Sequence, residues 1–147
     1  TGVVESVGLR VTQVRDVSGV LWYVRNGEVV RVGNQSQGWS RVVLDIPIDY
    51  SASIEQARSV ILQAAHSLAN DSEIAKQLMG EPEVWGIELL SSEQVVLRLV
   101  QQVGPSHSDD VARELRARIK ESLDKNKIAL ASTKTPIYVE VSGKAVK

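Results

Sequence analysis

From Arg41 onward, apolar residues recur with periods that switch between those of strand and helix. Val42, Leu44, Ile46 and Ile48 alternate with Arg41, Asp45 and Asp49, which predicts a strand with one face buried. Pro47 has no N–H to donate, so this strand is expected at a sheet edge or with a bulge. The period then changes. Ile54, Ala57, Ile61, Ala64, Ala65 and Leu68 make one stripe at helical spacing, opened by the capping pattern Ser53-Ile54-Glu55-Gln56 and ending near Ala69. Asp71 is placed to cap a second helix of about two turns carrying Ile74 and Leu78, which Gly80 and Pro82 stop.

Strand spacing returns in Trp85, Ile87 and Leu89, and again in Val95, Leu97 and Leu99, with Ser91-Ser92-Glu93 turning the chain between them. A long helix is predicted from Ser108, where Asp109 and Asp110 suit the positive end of the helix dipole, to Lys120, Lys125 and Lys127 at the negative end. Val111, Leu115, Ile119 and Leu123 are its inner face. Asn126 is the expected left-handed cap, Ile128 and Leu130 begin another extended segment, and Ile137 to Val141 alternates once more. The order β-α-β-β-α-β is that of a ferredoxin-like split βαβ sandwich.

The first part of the chain reads differently. Of 23 valines, 13 lie in residues 1–43, where short β-branched runs are punctuated by Gly and Asn. Val20 to Arg25 and Glu28 to Val32 flank Asn26-Gly27, two residues that tolerate φ > 0, so a two-residue hairpin is expected there. Gly27→Val is then expected to cost about 1 to 2 kcal/mol through strain. The fold class is accordingly α+β, with a small, N-terminally truncated β barrel over residues 1–39, an α/β domain over 40–130, and a strand or tail over 131–147. A β section of about 40 residues is too small to bury a core comfortably alone.

Composition narrows the function. The 147 residues are 43% hydrophobic and 24% charged, ordinary for a folded protein, and 17 basic against 18 acidic side chains leave a net charge of -1. That balance gives no bulk attraction to nucleic acid or anionic lipid. The chain has no cysteine, which removes disulfides, thiolate nucleophiles and zinc-thiolate sites. No apolar run approaches the roughly 20 residues needed to span a bilayer. The chain opens at Thr1, already inside a β pattern, as expected of a piece of a longer protein.

Candidate chemistry is sparse. His66 falls beside the apolar stripe of the first helix, and His107 precedes a helix start with Ser108, Asp109 and Asp110 beside it. Catalytic triads assemble in space rather than from adjacent residues, and neither histidine has companions at metal-ligand spacing. Gly104-Pro105-Ser106 lacks the lysine and spacing of a phosphate loop. No catalytic, cofactor or metal site is therefore assigned, and an enzyme is not expected. Arg10, Arg15, Arg25, Arg31 and Arg41 with Trp22, Tyr23 and Trp39 form a mixture that small barrels use on single-stranded nucleic acid. Glu5, Asp16, Glu28 and Asp45 nearly cancel those arginines, and a salt-paired surface is the preferred reading.

The combination of Gly2-Val3-Val4-Glu5, Leu9-Arg10, Thr12, the Asn26-Gly27 pair, the Asn34 to Arg41 link and the strand ending Asp49-Tyr50 resembles the cytosolic region of MscS-like mechanosensitive channels. That resemblance implies an Sm-like β domain, a homoheptameric ring below the inner membrane, and α/β domains enclosing a cytoplasmic vestibule with side portals. Ions and small osmolytes would leave through it on hypoosmotic shock, and the membrane helices would lie before Thr1. By the same resemblance Asn26 and Gly27 are the signature turn, and Trp39, Ser40 and Arg41 form the domain junction near the portals. No cofactor and no nucleic-acid partner are implied. Two positions depart from the family pattern: Arg25 stands where Pro is common, and Lys127 to Ser132 replaces a Gly-Ile and aromatic-Pro string. The alternative is a stand-alone ring-forming small-barrel module that binds RNA or protein.

Overall fold

The computed structural model describes residues 1–131. Two compact units divide the chain, the first Thr1–Asn34 and the second beginning at Gln35, ahead of the boundary expected at Trp39.

The first unit is one antiparallel sheet of β1 (Val3–Val7), β2 (Val11–Arg15) and β3 (Leu21–Arg25), in the order β1-β2-β3. It is open at both edges, so the expected barrel is not closed. The expected hairpin at Asn26-Gly27 is also absent: Asn26–Glu28 form a 3-10 turn, and residues 29–32 lie in no strand. The Val29 N–H donates to the Asn26 carbonyl at 3.2 Å, closing the turn without any left-handed residue. Gly27 has open space where a Cβ would stand and no positive φ, which removes the physical basis of the expected Gly27→Val strain. The tight turn that does need glycine is Asp16 to Gly19, where Gly19 has φ +87°.

The second unit is a two-layer sandwich. β4 (Ser40–Asp49), β5 (Glu83–Leu90) and β6 (Gln94–Val103) pair antiparallel in the order β4-β6-β5. Helices α1 (Ile54–His66) and α3 (Ser108–Lys125) pack together, and α3 also packs on β4. The alternation in β4 holds: Val42, Leu44, Ile46 and Ile48 are buried with Leu97 and Leu99 of β6. The α1 stripe meets them through Ala57, Val60, Ile61, Ala64 and Ala65, and α3 through Val111, Ala112, Leu115, Ile119 and Leu123. Each fully buried Leu or Ile contributes about 1.5 to 3 kcal/mol relative to exposure.

Local signals are mostly where the sequence places them. Ser53 caps α1 by accepting from the Gln56 N–H, and Asp71 caps α2 (Ser72–Ala75) by accepting from the Glu73 N–H at 3.1 Å. The second helix has four residues, shorter than the two turns expected. The left-handed residue after α3 is Lys127, φ +56°, one position beyond Asn126. Leu130 forms a bridge to Ile48, the rudiment of a fourth strand beside β4. The β4–β6 register runs unbroken through Pro47, so there is no bulge in that pair. Its missing N–H falls instead on the outer side of β4, where the Asp49 N–H donates to the Ala129 carbonyl and the Pro47 carbonyl accepts from the Ala131 N–H. The run Ile137 to Val141 lies outside the described residues.

Candidate functional site

Asn26 is a fastener at the end of β3. Its backbone N–H donates to the Arg10 carbonyl at 2.9 Å, and its side-chain Nδ2 donates to the Gly8 carbonyl at 2.9 Å. The Thr12 hydroxyl donates to Asn26 Oδ1 at 2.7 Å. One residue thus fixes the loop joining β1 to β2 against the close of β3. Gly27 follows it in the 3-10 turn and contacts nothing that a side chain would displace.

Trp39, Ser40 and Arg41 open the second unit. Ser40 is the first residue of β4, paired with Val103, and its hydroxyl donates to the Gly104 carbonyl at 3.4 Å. Arg41 alternates outward with the exposed positions of β4. Its guanidinium carbon lies over the Trp39 ring at 5.1 Å and over the Trp85 ring at 5.5 Å, both within cation–π range. The Trp85 indole N–H donates to the Glu83 carboxylate at 3.0 Å, which fixes the ring on β5. Both rings remain about half exposed, Trp39 at 49% and Trp85 at 53%.

Farther along the same sheet, Arg98 of β6 holds Asp45 through two bonds of 2.7 and 2.9 Å and reaches Glu88 at 2.9 Å. The Arg98 hydrogen bond holds the Asp45 carboxyl below its usual pKa range. Within α3, Arg118 donates to the Ser67 carbonyl at 2.7 Å, to Glu114 at 2.7 Å and to Asp71 at 3.4 Å, tying the end of α1 to the start of α2.

His66 pairs with Glu81 at 3.2 Å on an exposed surface, and His107 sits at the head of α3. Among the described residues no group of three His, Cys, Asp or Glu could hold a metal ion. The first unit has an open depression of about 480 Å³ lined by Thr1, Val14, Asp16, Trp22 and Val24. There the Asp16 carboxylate accepts from Ser18, Val20 and the Trp22 indole, and its pKa falls to about 2, chiefly through the Ser18 hydroxyl and then Trp22. The arginines of this unit are partly committed too. Arg15 is bonded to Glu5 across β1 and β2, and Arg25 lies 3.6 Å from Glu28. That favours the salt-paired surface over a phosphate-binding one.

The sequence reading singled out Trp39 and Arg41 but not Trp85 as their companion. Trp85 comes beside Arg41 only because β6 lies between β4 and β5 and the β5 register shifts between Val84 and Gly86. An antiparallel β4-β6-β5 order would have been the signal.

Comparison with known proteins gives one consistent picture. Residues 42–130 match the mechanosensitive ion channel MscS C-terminal domain family. The chain is 25% identical over 140 residues to a small-conductance mechanosensitive channel of Caldanaerobacter subterraneus subsp. tengcongensis, covering 95% of this chain and 48% of that protein. It is 26% identical over 137 residues to the moderate conductance mechanosensitive channel YbiO of Escherichia coli, covering 93% of this chain and 18% of that protein. In fold it resembles the closed-state crystal structure of Helicobacter pylori MscS, with a TM-score of 0.73 at 19% identity, covering 95% of this chain and 54% of that one. The chain therefore spans about half, or less, of the length of these channels. Among the described residues no helix is long and apolar enough to cross a membrane.

Proposed function

The chain belongs to the MscS family of mechanosensitive ion channels, and from that premise we propose that it forms part of the cytosolic vestibule of a membrane-tension-gated pore. The family is a channel family rather than an enzyme family. In this reading seven copies surround a cage, ions and small osmolytes pass through it on hypoosmotic shock, and the membrane-spanning part of the full-length channel carries the gate. Residues 1–39 serve as the β domain below the membrane, 40–130 as the cage wall, and 131–147 as a candidate floor strand. Trp39, Ser40 and Arg41 border the side portals, and Asn26, followed by Gly27 in the signature turn, holds the shape of the β domain.

The observation that carries the reading is the family match across nearly the whole sandwich of the second unit. A vestibule needs a rigid wall and no chemistry, and the buried core of that unit supplies the first. The full-length channel, expressed in giant spheroplasts and patched under suction, is expected to give a tension-activated current. Absence of any tension-activated current from a protein that reaches the membrane would overturn the proposal. Mass measurement of the purified chain at several concentrations is expected to show concentration-dependent assembly.

A further inference from the structure

We propose that Trp39, Arg41 and Trp85 form a weak, saturable site for small carboxylate solutes, with Arg41 as the carboxylate-holding residue. The proposal rests on the vestibule reading for its physiological sense and deepens it, by naming a solute class that pauses at the start of β4 in the second unit.

Three observations lead there. The first is how the arginines of the second unit are spent. Arg98 is held by Asp45 and Glu88, Arg118 by Glu114 and Asp71, and Arg113 by Asp110, whereas Arg41, like Arg58 and Arg116, has no ion pair among the described residues and differs from those two in lying over aromatic rings. Its contacts are the two indoles, at 5.1 and 5.5 Å. Ring contacts do not consume the guanidinium N–H donors, which lie in its plane and match the two oxygens of a carboxylate.

The second observation concerns order. A solvent-exposed arginine ordinarily loses much rotamer freedom when it grips a ligand. Here that freedom is already reduced by the two ring contacts, and the Trp85 ring is itself tied to Glu83 through its indole N–H. The donors are thus presented before any solute arrives.

The third observation sets the choice among anions. The Glu83 carboxylate stands beside Trp85, so a dianion such as phosphate meets more repulsion than a monoanion does. Chloride carries one charge but offers a single centre on which the two N–H bonds must converge, whereas a carboxylate sets one oxygen opposite each of two parallel N–H groups. A small monocarboxylate satisfies both conditions. The exposure of the rings and the nearby glutamate keep binding weak, with a Kd on the order of a few hundred mM, the range that a single exposed charge pair supports. Weak binding suits a surface that must release what it holds.

The test uses the whole chain, isotopically labelled, with the indole N–H signals of Trp39 and Trp85 followed by NMR and Trp22 as the internal reference. Sodium acetate is titrated against sodium chloride at constant ionic strength. Saturable shifts of Trp39 and Trp85 with acetate, absent for Trp22, are expected. Arg41→Gln is expected to abolish them while core methyl signals stay in place, and Arg41→Lys to weaken binding severalfold by losing the fork. Glu83→Gln is expected to tighten acetate binding about twofold. Equal shifts with chloride would overturn the proposal. So would shifts that track protein concentration and ignore acetate, since an acidic side chain of a second copy would then occupy the donors. The titration is read on the chain alone, so loss of tension-gated current in the full-length channel would sink the vestibule reading and leave this result standing.

Discussion

The two units of this chain solve the problem of staying folded in opposite ways. The second gathers side chains from β4, β5, β6, α1 and α3 into one continuous core. The first has no buried residue between Thr1 and Asn34, and Val3, Val7, Leu9, Trp22 and Tyr23 are all exposed. Its order comes from backbone ladders, the Arg15–Glu5 pair, the Asp16 turn and the Asn26 fastener. A three-stranded sheet needs an apolar face packed against something to be stable by itself. Hydrogen bonds shape the first unit, and apolar burial stabilises the second.

The largest test of this contrast is to truncate one apolar side chain in each. Leu115→Ala, at a fully buried position, is expected to cost about 2 to 5 kcal/mol in urea unfolding of the second unit. Val14→Ala in the half-buried centre of β2 is expected to cost less than about 1 kcal/mol. Equal losses would erase the distinction. Next comes the fastener: Asn26→Ala is expected to destabilise the first unit by about 1 to 2 kcal/mol, seen as faster hydrogen exchange at Gly8 to Thr12 with the second unit unchanged. Acid should act on the same unit. The folded pKa of Asp16, about 2, lies below its unfolded value, so its contribution is present above the unfolded pKa and is lost as pH falls through about 2. The Trp22 indole N–H signal is expected to titrate in that window and to be flat in Asp16→Asn. The smallest effect is expected from Gly27→Val, within about 0.5 kcal/mol of the parent by thermal unfolding.

The same contrast explains what could be read from the sequence. In the second unit, burial writes a period into the chain, so Val42 to Ile48, the α1 stripe and the inner face of α3 were legible, and Ser53 and Asp71 marked their helices. In the first unit no buried face imposes a period. There turn preference at the Asn26-Gly27 pair pointed to a hairpin, whereas Asn26 instead spends its side chain on Gly8 and Thr12. Those partners lie far away in sequence, and propensity carries no information about them. Arg41 over Trp85 escaped for the same reason, since the contact crosses an intervening strand. Boundaries decided by one backbone residue, such as Lys127 in place of Asn126, also exceed what residue preference resolves.

Pro47 has a consequence for crowding among identical chains. The outer side of β4 is where a stray strand would compete, since Pro47 and Asp49 bond there to residues 129–131 and not to β6. A strand competing with residues 129–131 for that side would find a carbonyl but no N–H at Pro47, one bond fewer than another residue would offer. One imino acid thereby lowers the gain that another chain would have from extending the sheet at that position.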